Sequence, residues 1–250
     1  MSIFTKNTPT HRPLGSLLGL IHGVHGGGKS TIAAGFDKKA VIDTEGGHRG
    51  FDSDAYSLAL EWPQIKDACL FVAAHKTEGT VIFDSISRAY DRCRKHVLTM
   101  HGWQDEKDGG GWGEGFKAVR TEFRSAIDPL IELNQRGVGV WFVTHSTESV
   151  EVIEKPTGDV TIRSVTPEVL DRKTYDALVR MADVVIHYAP EHEGDTTKHV
   201  ARFFSDGVYE AKDRTGRFPA TLTLPEVSGS LDERSRQVFA AINEAYEGEA

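Results

Sequence analysis

Residues 17–34 form the part of the sequence that most limits how this chain can fold. The apolar residues 17–21 predict a buried strand, the glycine-rich residues 23–30 predict a turn, and the small residues 31–34 are compatible with a helix. The turn has the spacing G-x-x-x-x-G-K-[ST], in the strand–turn–helix context that this motif requires. Its glycines allow successive backbone N–H groups to point toward a polyphosphate. The sequence therefore predicts a nucleoside-triphosphate site.

The residue types within the turn have separate expected roles. Lys29 is expected to reach the β- and γ-phosphates, and the hydroxyl of Ser30 is expected to bind Mg²⁺. The positive N-terminal end of the following helix adds to the attraction for phosphate. The predicted nucleotide-binding residues are Gly23, Val24, His25, Gly26, Gly27, Gly28, Lys29, Ser30 and Thr31.

Composition indicates an ordinary globular protein. The 250 residues, 39% apolar and 26% charged, suffice for one large α/β domain. No apolar run approaches the roughly 20 residues of a membrane span, and residues 1–13 are too polar for a signal peptide. Cys69 and Cys93 lie far apart, which predicts neither a disulfide framework nor a zinc cluster and favours the cytoplasm. A net charge of −8 argues against a protein that coats nucleic acid through its overall electrostatic field. Any contact with DNA would therefore be local.

Apolar runs and helical periodicity predict a series of alternating strands and helices. The predicted strands are residues 17–21, 40–43, 80–84, 138–144 and 183–188, and the predicted helices are residues 62–74, 85–101, 116–134, 170–181 and 231–246. Pro129 is expected to kink the third helix, and the glycine-rich residues 102–115 are expected to form a mobile loop. Alternating residues around 155–159, and again within 199–216, predict hairpins.

This order of elements predicts an α/β P-loop NTPase fold. Strands that alternate with helices indicate a mostly parallel sheet flanked by helices, and the later hairpins indicate antiparallel strands at its C-terminal edge. The expected organisation is an N-terminal arm (residues 1–14), a nucleotide-binding domain (residues 15–225), and a C-terminal helix with an acidic tail (residues 226–250).

The apolar strand of residues 80–84 ends in a carboxylate, Asp84. A carboxylate at the C-terminal end of a parallel strand beside a phosphate loop can hold Mg²⁺, as in a Walker B strand. The alternative is an ordinary aspartate at a strand end. Three histidines, His187, His192 and His199, are spaced too loosely to predict a metal site.

With these motifs in place, the chain resembles the RecA-type ATPase core. Residues 41–45, 83–85 and 143–145 are similar to the RecA segments that carry the glutamate, the Walker B Asp-Ser and the γ-phosphate sensor. The resemblance implies ATP and Mg²⁺ as cofactors, Glu45 as the general base for the attacking water, and His145 as the sensor. Asp43 is a second candidate base. The alternatives are a carboxylate that merely lies in a turn and a histidine satisfied by backbone.

Lys212 and Arg214 carry a further resemblance. Two residues apart on an extended segment, they project to the same face. They resemble the K-x-R finger that hexameric RecA-fold helicases insert into a neighbour's ATP site, where a cation offsets charge on the γ-phosphoryl group. The alternative is a basic turn on a solvated face. The implied catalytic residues are Lys29, Glu45, His145, Lys212 and Arg214.

Residues 15–220 most resemble the phage-encoded AAA-domain proteins, which include small RecA-like ATPases of single-strand annealing and recombination. The resemblance implies a homo-oligomeric ring or filament, single-stranded DNA and a single-strand binding protein as partners, no membrane, and the host cytoplasm. A hexameric motor and a nucleotide-switched adaptor are the alternatives, and a small-molecule kinase is less favoured.

Two loops are the candidates for contact with DNA, residues 102–115 and 146–166. Within them, aromatic residues are expected to stack on bases and basic residues to contact phosphates. These residues are Trp103, Trp112, Lys107, Lys155 and Arg163. Both loops also carry acidic residues, so a lid or a subunit contact is an open alternative.

Overall fold

The computed structural model describes residues 11–153, 160–168, 171–194 and 196–248. Within these ranges, one sheet is flanked by helices. The strands are β1 (Leu18–Gly23), β2 (Lys39–Asp43), β3 (Ala55–Leu58), β4 (Thr80–Asp84), β5 (Gly139–Ile153), β6 (Val160–Pro167), β7 (Val184–Glu193), β8 (Thr196–Arg202), β9 (Lys212–Asp213) and β10 (Thr221–Leu224). The helices are α1 (Lys29–Ala34), α2 (Trp62–His75), α3 (Ile86–His101), α4 (Glu114–Gln135), α5 (Arg172–Met181) and α6 (Leu231–Glu247).

The strand order is β10-β8-β7-β1-β5-β4-β2-β3, with β6 paired to β5 and β9 paired to β7. The strands from β7 to β3 are parallel, whereas β8, β10, β6 and β9 pair antiparallel. The predicted α/β fold with antiparallel additions is therefore confirmed. Because β5 lies between β1 and β4, its residues 143–145 lie between the phosphate loop and the strand that ends in Asp84.

Several predicted elements change length in the structure. The strand predicted to end at residue 144 continues to Ile153, and its extension pairs antiparallel with β6 from Ser146↔Pro167 onward. The predicted mobile loop, residues 102–115, contains two short 3₁₀ helices, Glu106–Gly109 and Gly111–Gly113. Helix α4 continues through Pro129. Residues 154–159, at the tip of the predicted hairpin, lie outside the described residues.

The C-terminal helix is part of the core. Val238, Ile242 and Tyr246 on α6 are buried in one hydrophobic cluster with Ile32 of α1 and Val143 of β5. The hydroxyl of Tyr246 donates to the carbonyl oxygen of Arg12 at 2.8 Å. Burial of such side chains is the main source of stability for a domain of this size, so α6 contributes directly to the fold.

Two hairpins extend beyond the carboxyl edge of the sheet, the edge where parallel strands end. One is the β5–β6 hairpin. The other is formed by α3 and antiparallel α4, whose 22 residues span about 33 Å against roughly 17 Å for a five-residue strand. Arg120 of α4 is bonded to Asp171 close to the carboxyl edge, so residues 102–115, which precede it, lie farther out.

In the part of the chain described, no helix is both long and apolar enough to cross a membrane.

Candidate nucleotide-binding site

The phosphate loop connects β1 to α1 at the carboxyl edge. Gly28 has φ +96°, which a residue with a side chain rarely adopts, and this conformation turns the chain into α1. At Gly23, a Cβ atom would overlap the carbonyl oxygen of Tyr188 on the neighbouring strand. The first and last glycines of the motif therefore serve backbone geometry and close packing. The loop has the form that the sequence predicts.

The ammonium group of Lys29 folds back onto its own loop. Its Nζ donates to the carbonyl oxygens of Gly23 (3.1 Å) and Val24 (2.8 Å) and to Nδ1 of His145 (3.3 Å). The side chain is buried, and burial lowers the pKa of Lys29 against the attraction of Asp84 and Glu45. The predicted phosphate-binding cation is thus enclosed between its own loop and His145 of β5.

Ser30 and Asp84, the two predicted Mg²⁺ ligands, are in direct contact. The hydroxyl of Ser30 donates to Asp84 Oδ2 at 2.6 Å, and Nε2 of His48 donates to the same oxygen at 3.0 Å. A hydroxyl and a carboxylate are oxygen ligands of the kind that Mg²⁺ prefers, so these residues fit the ion. His48 is fully buried, and the sequence prediction missed it because a lone histidine after a glycine pair carries no spacing signal.

Glu45 lies on the other side of His145 from Lys29. Its Oε1 is 3.3 Å from His145 Nε2 and also accepts a hydrogen bond from the hydroxyl of Ser85. The hydrogen bond from His145, assisted by that from Ser85 and opposed by burial, lowers the pKa of Glu45 to about 2. Glu45 is therefore ionised at neutral pH. The structure brings together Lys29, His145 and Glu45 as one hydrogen-bonded chain.

Asp43 has a different role from the one considered for it. Its carboxylate accepts the backbone N–H groups of Glu45 (3.0 Å), Gly46 (2.6 Å) and His48 (2.9 Å), and the hydroxyl of Tyr56 (3.0 Å). It is fully buried. With both oxygens occupied, Asp43 holds the turn that carries Glu45 and His48, and it is not positioned to bind a water.

With the site assembled, the chain can be compared with known proteins. A family model described as an AAA domain matches residues 17–215. The chain belongs to this family. The match includes the phosphate loop, Glu45, Asp84, His145 and the segment of Lys212 and Arg214, but ends before β10 and α6. Among curated proteins, no sequence matches the chain.

Solved structures resemble the chain at low sequence identity. The RadB recombinase has 15% identity and a TM-score of 0.50, over 89% of this chain and 90% of that chain. The flagellar accessory protein FlaH from Methanocaldococcus jannaschii has 13% identity and a TM-score of 0.45, over 85% and 86%. A KaiC-like protein from Pyrococcus horikoshii has 14% identity and a TM-score of 0.42, over 75% and 78%. The likeness to the RadB structure shows the fold, which is that of a RecA-like P-loop NTPase.

In this AAA-domain chain, Lys212 and Arg214 lie away from the phosphate loop. Lys212 of β9 pairs with Val185 of β7, which in turn pairs with Leu20 of β1. Lys212 therefore lies nearer the amino edge of the sheet than the phosphate loop does. Its Nζ donates to the carbonyl oxygens of Val179, Arg180 and Ala182 at 2.7–3.1 Å, at the end of α5, and Arg214 donates to that of Arg180. Both residues therefore cap the C-terminus of α5.

The residues considered for DNA contact divide into two groups. Trp103 stacks on His101, with ring centroids 4.2 Å apart, and packs against the core, whereas Trp112 is fully exposed near the tip of the α3–α4 hairpin. Arg163 on β6 is paired with Glu148 across the β5–β6 hairpin. Lys107 is exposed in its 3₁₀ helix, and Lys155 lies outside the described residues.

The three histidines considered for a metal site are engaged separately. His187 stacks on Tyr209 with centroids 4.4 Å apart. His192 is bonded to Thr197 and His199 to Tyr188, at 2.9 and 3.0 Å. Across the described ranges, no three His, Cys, Asp or Glu side chains are grouped to hold a metal ion.

The hydrogen bonds of Asp43 make it more important than Glu45 for the stability of the fold. Asp43→Asn should lower the free energy of unfolding by about 1.5–3 kcal/mol, because an amide places an N–H against donors that now face a carboxylate. Glu45→Gln, the matched change two residues away, should cost less than 1 kcal/mol, because its acceptor oxygen is retained. Urea unfolding at pH 7 measures both. Equal, small losses would show that the turn does not depend on Asp43.

Proposed function

We propose that this chain hydrolyses ATP with Mg²⁺ at the carboxyl edge, as a ring or filament, and acts on single-stranded DNA in phage-type recombination or annealing. The observation that carries the proposal is the 2.6 Å hydrogen bond from Ser30 to Asp84, because it joins the two expected ligands of one Mg²⁺ ion. Lys29 and Glu45 lie beside this pair, on opposite nitrogens of His145.

A bound triphosphate would rearrange this hydrogen-bonded chain. Phosphate oxygens are stronger acceptors for an ammonium group than the loop carbonyls that Lys29 now contacts, so Lys29 would turn toward them. His145 would then lose its contact with Lys29 and be able to sense the γ-phosphate. Glu45, ionised already, would orient the attacking water and accept its proton. Mg²⁺, when bound, would offset phosphate charge.

The proposed base gives the first test. Glu45→Gln retains size and hydrogen bonding but cannot accept a proton, so ATP turnover should fall by about 10²-fold. ATP with Mg²⁺ should still raise the melting temperature of this variant, because binding does not require the base. Steady-state phosphate release and thermal melting measure the two effects.

Lys29→Ala is the control, and it should lose the ATP-dependent rise in melting temperature together with activity. Undiminished turnover in Glu45→Gln would assign the water to another residue. An unchanged thermal shift in Lys29→Ala would contradict binding of phosphate by this loop.

The oligomer is supported by the location of Lys212 and Arg214. Both lie toward the amino edge, whereas the phosphate loop begins at Gly23 on the carboxyl edge, so a role at the phosphates requires a neighbouring subunit. Lys212 is already bonded to three carbonyl oxygens. Arg214, exposed beside it, is therefore the more available cation for a neighbour's site.

Mixing of inactive variants tests this arrangement. Arg214→Ala and Lys29→Ala should each be inactive alone, and their mixture should regain part of the ATPase activity, because some interfaces would pair an intact loop with an intact Arg214. The control mixes Lys29→Ala with Arg236→Ala, a change at an exposed arginine on α6. The ATPase activity of this mixture should equal that of the same amount of Arg236→Ala alone. Co-assembly is verified by mass measurement. Mixed oligomers of the first pair that remain inactive would refute action in trans.

The proposed binding of single-stranded DNA is supported by the two hairpins that extend beyond the carboxyl edge. A base that stacks on an exposed aromatic ring gains about 1–3 kcal/mol with little sequence preference. Trp112 offers such a ring, whereas Trp103 is packed against the core. ATP would strengthen binding, because assembly would align the hairpins of neighbouring subunits along one strand.

Trp112→Ala should weaken binding of labelled oligothymidylate about tenfold or more, measured by anisotropy at low salt with a non-hydrolysed ATP analogue. Trp103→Ala is the matched aromatic control and should leave affinity within about twofold wherever the protein stays folded. If the wild type hydrolyses ATP but binds no oligonucleotide, the adaptor function is the better account. Directional unwinding would instead support a hexameric motor.

A further inference from the structure

A partly open cavity of about 170 Å³ adjoins the phosphate loop on the side away from His145. Gly28 and Thr31 form its wall at the start of α1, and Tyr188 at the end of β7 forms another. Lys29 points the opposite way, toward Gly23 and His145. Because that lysine is expected to take the β- and γ-phosphates, the α-phosphate and the nucleoside attached to it would lie toward Thr31.

The cavity suits a flat aromatic ring. Its lining is mainly apolar, with the buried ring of Tyr188 against Gly28 and with Val227 from the segment that follows β10. The hydroxyl of Tyr188 is already bonded to His199 at 3.0 Å, so the tyrosine presents its ring rather than a free polar group. An apolar cavity of about 150 Å³ holds benzene in another protein, so this volume accommodates a heteroaromatic ring.

Arg234 on α6 supplies the charged group in the lining of the cavity. Its Nε is shielded from solvent and has no hydrogen-bond partner among the described residues. A guanidinium group can only donate, so its partner must be an acceptor. The ring nitrogens and carbonyl oxygens of nucleobases are such acceptors. Because the Nε is shielded, the terminal nitrogens of the guanidinium group are the donors available to such an acceptor.

We propose that this cavity, lined by Gly28, Thr31, Tyr188, Val227 and Arg234, binds the nucleobase of the triphosphate, with Arg234 donating to an acceptor on the edge of the base. The inference rests on the proposed function, because the phosphates must occupy the loop of Lys29. Val227 and Arg234 lie beyond the matched residues 17–215, so the C-terminal strand and helix complete the nucleotide site of this chain.

The test compares two ligands that differ in the nucleoside. Calorimetry with Mg²⁺ measures the affinities of a non-hydrolysed ATP analogue and of inorganic tripolyphosphate, which has no base. The wild type should bind the analogue more tightly. Arg234→Ala should weaken the analogue about tenfold, the effect of one hydrogen bond to a charged group, and leave tripolyphosphate unchanged. Arg236→Ala, the exposed arginine two residues away, should change neither.

A second variant tests the space instead of the hydrogen bond. Val227→Trp should fill the cavity and reduce the affinity ratio of analogue to tripolyphosphate toward one, while retained tripolyphosphate binding shows an intact loop. If both variants keep the wild-type ratio, or if Arg234→Ala weakens the two ligands equally, the base lies elsewhere. If the wild type binds neither ligand, the phosphate-loop assignment fails, and the proposal for the cavity fails with it.

Discussion

The buried ammonium group of Lys29 is the interaction around which the carboxyl edge is arranged. A cation removed from water needs acceptors, and this one has two carbonyls of its own loop and one histidine nitrogen. The histidine reaches it because β5 lies between the phosphate-loop strand and the Walker B strand. Burial lowers the pKa of the lysine, and the more distant charges of Asp84 and Glu45 offset part of this lowering. One strand order thus brings Lys29, Asp84 and Glu45 to a single edge.

Two carboxylates two residues apart show how local hydrogen bonds decide a role. Asp43 accepts three backbone N–H groups and a tyrosine hydroxyl, so its charge is used to hold a turn. Glu45 accepts from Ser85 and His145, both side chains that can move. A substrate can therefore change the surroundings of Glu45 without breaking the backbone. The turn stays rigid while the carboxylate it presents remains adjustable.

The sequence predicted the parallel strands well, because continuous apolar runs mark strands covered on both faces. It missed β3, whose four residues, Ala55–Leu58, lie at the sheet edge without an apolar run. It ended β5 at residue 144, because an alternating pattern replaces the apolar run where the strand leaves the core. In the site, motif spacing pointed to Ser30, and an apolar run that ends in a carboxylate pointed to Asp84. The supporting contacts of Asp43 and His48 depend on a folded turn that no spacing rule describes.

The contact between Tyr246 and Arg12 has a consequence for how other proteins can be attached. It brings residues near the two ends of the described chain together, and His11 and Glu247 approach to 2.8 Å beside it. Both lie at the amino edge, where Arg12 also pairs with Asp183 at the start of β7. His11 and Glu247 therefore lie side by side on the edge opposite the nucleotide site. Cargo attached at either position would leave both hairpins unobstructed, and a linker of a few residues between these two positions would permit circular permutation of the described fold.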